Sequence, residues 1–179
     1  MENEIGKPMM LDSDISLINI ELYKKVMGVN GTDFLNILEW GSGNSTLYFS
    51  DRLSDKWEQD FRWDTIEHDV KWYLHVQKFN KLSEVKCHLF QAENPQDKIQ
   101  MREDRVEQYV NMPRCIGLKY DVIIVDGCQR NKCLDMAKRF LKEDGIVLLH
   151  DAERDCYEEG KEGYIGKYLS KTLWMGKLN

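Results

Sequence analysis

The sequence predicts a three-layer α/β sandwich built on a mostly parallel sheet with an antiparallel strand at its C-terminal edge. Three observations carry that prediction. Short β-branched runs such as Val122–Val125 and Ile146–Leu149 recur along the chain, and stretches with apolar residues at helical spacing separate them. This alternation belongs to strands covered on both faces by crossover helices. A turn with two glycines, Gly41-Ser42-Gly43, directly follows the first run. Finally, 179 residues with 42% hydrophobic content are enough for one core and too few for two, so residues 1–179 read as a single domain.

Each element has its own signals. A first helix is expected over Ile15–Met27, capped by Ser13 or Asp14, with Ile15, Ile18, Leu22 and Val26 on one face and Gly28 and Gly31 ending it. Strand one is Phe34–Glu39, and the glycine turn leads into a helix near Ser45–Leu53. Strand two is Asp64–Glu67, followed by a helix over Val70–Leu82 with Asp69 as its cap, then strand three, Val85–Phe90. The polar stretch Gln91–Lys119 holds a helix around Lys98–Val110, whose charges read as a solvated face. Strand four is Tyr120–Val125. The helix after it, Asn131–Leu141, repeats Cys133, Met136, Ala137, Phe140 and Leu141 at helical spacing. A turn at Glu143–Gly145 opens strand five, Ile146–Leu149, and Lys171–Met175 reads as the last, antiparallel edge strand.

Bulk properties narrow the function classes. A net charge of −6 provides no global field to recruit nucleic acid or an anionic membrane, so a small-molecule partner is favoured. The longest apolar runs are far short of the roughly 20 residues that span a bilayer, and the N-terminus lacks a secretion signal. Five cysteines without a C-x-x-C pair read as reduced thiols in a cytoplasmic protein. Oligomeric state is not legible.

The stretch Ile37-Leu-Glu39-Trp-Gly41-Ser42-Gly43-Asn-Ser45-Thr46 carries the chemistry. A strand delivers a carboxylate at its end, glycines let backbone approach a ligand, and the following helix aims free N–H groups at it. An acid two residues before Gly41 repels a pyrophosphate but suits a ligand with an ammonium and a sulfonium. Glu67, at the end of strand two and 26 residues beyond Gly41, is placed to accept hydrogen bonds from vicinal ribose hydroxyls. His68 lies beside it, and Asp69 reads as a helix cap.

The order Glu39-x-Gly41-x-Gly43, Glu67, then Tyr120-Asp-Val-Ile-Ile-Val-Asp126-Gly127 resembles motifs I, II and IV of the class I S-adenosylmethionine methyltransferases, which are Rossmann-like. The likeness covers roughly Phe34–Asp151, with Thr172–Gly176 matching the family's final strand. It implies that Glu39, Gly41, Ser42, Gly43 and Ser45 hold the methionyl part of S-adenosylmethionine, that Glu67 and His68 lie at the ribose, and that Ala92 and Glu93 contact adenine. Asp126 and Asp151 end strands four and five. There the chain is similar to metal-dependent O-methyltransferases of the catechol type and to macrocin-type sugar O-methyltransferases, in which acids at these ends hold Mg²⁺. The catechol-type pattern wants Asn after the second acid, and Ala152 stands there. His150 is a candidate general base or a core-edge histidine. Arg130 and Arg154 could orient an anionic substrate or pair with Asp126 and Asp151. Trp57, Trp63, Trp72 and Tyr73 read as packing.

The implied activity is methyl transfer to a small-molecule acceptor, with O-methylation favoured. Two other classes stand beside it: a nucleotide-dependent oxidoreductase, disfavoured by Glu39 and by Thr46 in place of a third glycine, and a relative that binds cofactor without catalysis.

Overall fold

The computed structural model describes residues 6–28, 34–90 and 103–179. Seven strands form one sheet in the order β3-β2-β1-β4-β5-β7-β6. They are β1 (Leu35–Trp40), β2 (Phe61–Glu67), β3 (Val85–Leu89), β4 (Tyr120–Val125), β5 (Leu141–His150), β6 (Tyr164–Tyr168) and β7 (Leu173–Leu178). The first five are mutually parallel, and β7 runs antiparallel to both β5 and β6. The helices are α1 (Asp12–Gly28), α2 (Asn44–Asp51), α3 (Val70–Phe79), α4 (Glu103–Ile116), α5 (Arg130–Phe140) and a single turn, α6 (Glu158–Lys161). Among the described residues, no helix is long and apolar enough to cross a membrane.

Successive residues of the central strands feed opposite cores, which is why these strands read as continuous apolar runs. Ile37, Val122, Ile124, Ile146 and Leu148 pack with Ile15, Ile18 and Leu22 of α1 and Phe49 of α2. Leu38, Trp40, Ile123, Val125, Val147 and Leu149 pack with Val106 and Tyr109 of α4 and Cys133, Leu134 and Ala137 of α5. Pro113 lies inside α4. Its missing N–H frees the carbonyl of Tyr109, and the buried Trp40 indole takes it up, Nε1 donating at 3.1 Å.

The register sets the site. Trp40 pairs with Ile66 on one side and Val125 on the other, and Val125 pairs with Leu149. One residue further along, Gly41, Glu67, Asp126 and His150 line up at the same edge of the sheet. Chain direction through the sheet reverses between β1 and β4, where open α/β sheets hold ligands.

The structure departs from the expected elements in several places. β2 starts three residues before Asp64, and α3 stops at Phe79, not Leu82. α4 ends at Ile116, beyond the expected Val110, because the helix continues through Pro113; the expected start at Lys98 lies outside the described residues, as do Ala92 and Glu93. The expected turn at Glu143–Gly145 is an irregularity inside β5, between the pairs Tyr120–Leu141 and Val122–Ile146. α1 begins at Asp12, which puts Asp14 inside its first turn and not at its cap.

The largest correction concerns the sheet edge. The last strand is antiparallel, as expected, but it sits between β5 and β6, so that β6 forms the edge. β6 is mostly exposed and has Gly166 at its centre, so no alternation marks it. Its pairing makes physical sense. Gly166 faces Gly176, and the Trp174 indole covers both; a Cβ would meet it at 2.1 Å on Gly166 and 2.3 Å on Gly176. The ring supplies the side-chain cover that the glycines lack.

Candidate functional site

Two turns interlock at the reversal point. Gly41 has φ +98°, and a Cβ there would lie 2.6 Å from the Gly127 backbone nitrogen. Gly127 in turn has no room for a Cβ, which would meet the Tyr109 hydroxyl at 2.1 Å. A cavity of about 400 Å³ opens beside these turns, lined by Met9, Gly41, Ser42, Gly43, Asn44, Glu67, His68, Trp72, Asp126, Gly127 and Cys128. Six of the sequence-derived candidates, Gly41, Ser42, Gly43, Glu67, His68 and Asp126, therefore meet there; Met9, Asn44 and Cys128 are additions, as is Trp72, which the sequence reads as packing. Trp72 reaches the cavity because α3 lays its ring against Gly43, 3.3 Å from a Cβ placed there.

Glu39 does not line the cavity. It is fully buried, and both carboxylate oxygens are held by the protein: Ser45 Oγ and Thr46 Oγ1 donate at 2.6 Å each and Trp63 Nε1 at 3.0 Å. Ser45 is thereby turned inward with it. Trp63 is core packing as expected, with its N–H spent on this carboxylate. Burial pushes the Glu39 pKa up to about 7, against the pull of the three donors.

A pH dependence follows. Because the folded-state pKa is raised, the stabilisation is present below the ordinary value near 4.5 and is lost as pH rises through about 7. The total is on the order of 3 kcal/mol. Glu39→Gln has no such titration, so denaturant melts at pH 5 and pH 8 should show the variant gaining about that much on the wild type at the higher pH. A gap that stays constant across the two pH values would mean that Glu39 is ionised throughout.

Glu67 is 2% exposed and lies at the cavity. One oxygen accepts from the backbone N–H of Ser42 at 2.6 Å and from Ser42 Oγ at 3.2 Å. The other accepts from the N–H groups of His68 and Asp69 at 2.8 and 2.7 Å, and His68 Nδ1 lies 3.0 Å from it. The carboxylate thus knits the glycine turn to the start of α3, where Asp69 caps the helix as expected, accepting from Lys71 N–H at 2.7 Å. Cys128 and Glu67 beside His68 push its pKa up to about 10, so it carries a positive charge at neutral pH.

At the ends of β4 and β5 the acids form a network. His150 Nδ1 lies 2.9 Å from Asp126 and 3.6 Å from Asp151, and its Nε2 faces Asp14 of α1 at 3.6 Å. Burial draws its pKa down, but Asp126 and Asp151 outweigh that and leave it raised. With a carboxylate facing each ring nitrogen, His150 ties the ends of β4 and β5 to α1. Asp14 is fully buried and also accepts from Ser170 Oγ at 2.5 Å and from Thr172 Oγ1, in the β6–β7 turn. Asp151 adopts φ +51° and receives Arg154 Nη2 at 2.8 Å.

Asp126, His150 and Asp151 offer ligand atoms within 4.8 Å of one another, a spacing a divalent ion could use. Arg130 fills that role instead. Its guanidinium is 8% exposed and donates to Asp126 Oδ1 at 3.1 Å and to Asp151 Oδ2 at 3.2 Å. The residues present therefore do not fit the Mg²⁺ expected between these acids. Ala152, where the catechol-type pattern has Asn, is fully buried in the core and does not face the site.

No family model matches the chain, and no curated protein matches it by sequence. Solved structures do. The CMeT domain of the citrinin polyketide synthase superposes at TM-score 0.60 with 14% identity, over 91% of this chain and 52% of that one. Precorrin-6y C5,15-methyltransferase from Geobacter metallireducens gives 0.58 with 13% identity, over 99% and 96%. MycE methyltransferase of the mycinamycin pathway, solved with Mg, SAH and mycinamycin VI, gives 0.55 with 11% identity, over 98% and 49%. The chain thus spans about half the length of two of these three. It has the fold of the class I S-adenosylmethionine-dependent methyltransferases.

Proposed function

We propose that this chain is an S-adenosylmethionine-dependent methyltransferase acting on a small-molecule acceptor, with oxygen the favoured target atom. The cavity at the β1/β4 reversal carries the reading, since it brings the glycine turn, Glu67 and Asp126 together under a sheet of this order. In this reading Gly41, Ser42 and Gly43 let backbone approach the methionyl part, and Glu67 meets the ribose when Ser42 Oγ swings aside. Asp126 presents negative charge to the sulfonium. Glu39 and Ser45 act from beneath, by fixing the turn. His68 and Trp72 border the nucleoside, with Ala92 and Glu93 retained as adenine contacts by the sequence resemblance. Asp151 orients the acceptor, and His150 holds Asp126 in place. The sulfonium supplies its own leaving group, so the protein's contribution is alignment of an in-line displacement. No step runs through a metal. Five free cysteines accord with a cytoplasmic setting.

The oxidoreductase alternative fits less well. Dinucleotide-binding sheets run 3-2-1-4-5-6, whereas here an antiparallel β7 separates β5 from β6. Thr46 Oγ1 also takes the Gly43 N–H at 3.1 Å, a donor that a pyrophosphate would need.

Calorimetric titration tests the proposal. S-adenosylmethionine and S-adenosylhomocysteine should bind in the micromolar range, about −8 kcal/mol, and NADH should not. Preferential binding of NADH would overturn it. Binding of both adenosyl compounds without turnover on any hydroxyl-bearing acceptor would leave a cofactor-binding relative.

A further inference from the structure

We propose that Arg130 is the resident cation of the strand-end site, making it independent of divalent metal, and that a metal site lies latent beneath it. The first residue of α5, Arg130 folds back over the turns that end β4 and β5. Nε donates to the Gly127 carbonyl at 2.9 Å, and Nη2 to the Asp126 carbonyl at 2.9 Å and its carboxylate at 3.1 Å. Nη1 donates to the His150 carbonyl and to the Asp151 carboxylate at 3.2 Å. Every N–H direction of the guanidinium plane that faces the protein therefore meets an acceptor, and one rigid fork satisfies two carboxylates from two strands.

Charge balance leads to the same conclusion. The carboxylates of Asp14, Asp126 and Asp151 face the guanidinium groups of Arg130 and Arg154, with the His150 imidazole among them. A divalent ion added to this cluster would enter beside a buried guanidinium that already holds both strand-end carboxylates. Removal of Arg130 reverses the situation. Two hard carboxylates and an imidazole would then stand within 4.8 Å of one another with net negative charge and a guanidinium-sized space between them. That donor set accepts Mn²⁺. The inference concerns metal affinity and is tested without cofactor or acceptor, so it stands or falls separately from the methyl-transfer reading.

The experiment titrates MnCl₂ into purified protein and follows the free-ion signal by electron paramagnetic resonance, with thermal unfolding in EDTA and in MnCl₂ as a second readout. Wild-type protein should leave the Mn²⁺ signal undiminished at equimolar sub-millimolar concentration and melt at the same temperature in both buffers. Arg130→Ala should bind one Mn²⁺ at least about tenfold more tightly than wild type, melt higher with Mn²⁺ than with EDTA, and lose both effects when Asp151→Asn is added. Arg130→Lys, which keeps a cation but loses the fork, should behave as wild type toward Mn²⁺. Stoichiometric binding by the wild type overturns the proposal, as does a folded Arg130→Ala that ignores Mn²⁺. If Arg130→Ala does not fold, the wild type and Arg130→Lys decide: Mn²⁺ binding by either refutes a resident cation, and its absence in both upholds one.

Discussion

Gly41→Ala should destabilise the protein by about 2–6 kcal/mol, much of the 5–15 kcal/mol that holds an ordinary domain together. Two costs add. A side chain at φ +98° is strained, at roughly 1–3 kcal/mol. The added carbon would also sit 2.6 and 2.7 Å from the Gly127 nitrogen and Cα and 2.9 Å from the Asp126 carbonyl carbon. Those atoms are all backbone, so relief requires separating the β1 and β4 turns, an overpacking cost of about 1–3 kcal/mol. Gly117→Ala isolates the first cost, because φ is +73° there but nothing lies within 4 Å. Urea melts of the two variants should therefore differ by the packing cost alone. Equal losses would show that the turns part freely and that the interlock has no energetic weight.

Glu67→Ala should weaken both the fold and cofactor binding. Its carboxylate accepts from three buried or half-buried backbone N–H groups, those of Ser42, His68 and Asp69. Hydrogen bonds to a charged acceptor are worth about 1.5–3 kcal/mol each, and orphaned donors add their desolvation. Partial solvation at the cavity reduces the sum, so a loss of about 3 kcal/mol in stability is expected. Affinity for S-adenosylhomocysteine should fall tenfold or more, measured by calorimetry at a temperature where the variant is folded. A variant as stable as wild type would mean water replaces the carboxylate at all three donors. Unchanged affinity in a folded variant would move the ribose contact elsewhere, with Asp69 the next candidate.

How much of this was visible in the sequence depends on how local the cause is. β4 is found at its expected bounds because a run of β-branched residues buried on both faces has no competing reading. The Asp69 cap and the glycine turn are equally local. The edge strand β6 escapes because neither of its faces is buried, leaving no period to detect. The site shows the same division. Gly41, Ser42, Gly43, Glu67, His68 and Asp126 border the cavity as their spacing suggested. Glu39 stands out in the sequence, yet the direction in which its oxygens point depends on Trp63, one strand away. Arg130 could be named as a partner of Asp126 and Asp151, but its depth between them follows from where α5 begins relative to two turns. Nor does the sequence show that His150 faces Asp14, 136 positions earlier in the chain.

The tie between Asp14 and the β6–β7 turn also has a kinetic consequence. The bonds from Ser170 and Thr172 to Asp14 close loops of 156 and 158 residues, nearly the whole chain. Contacts of such sequence separation form slowly, because the chain's ends must meet before anything is gained. During synthesis, which delivers the N-terminus first, the Asp14 carboxylate lacks both hydroxyl donors until residues 170 and 172 emerge. Fixing of the first turn of α1 against the β6–β7 turn should thus be among the last events of folding. A refolding experiment would then see the β1–β4 core protected against hydrogen exchange before the first turn of α1.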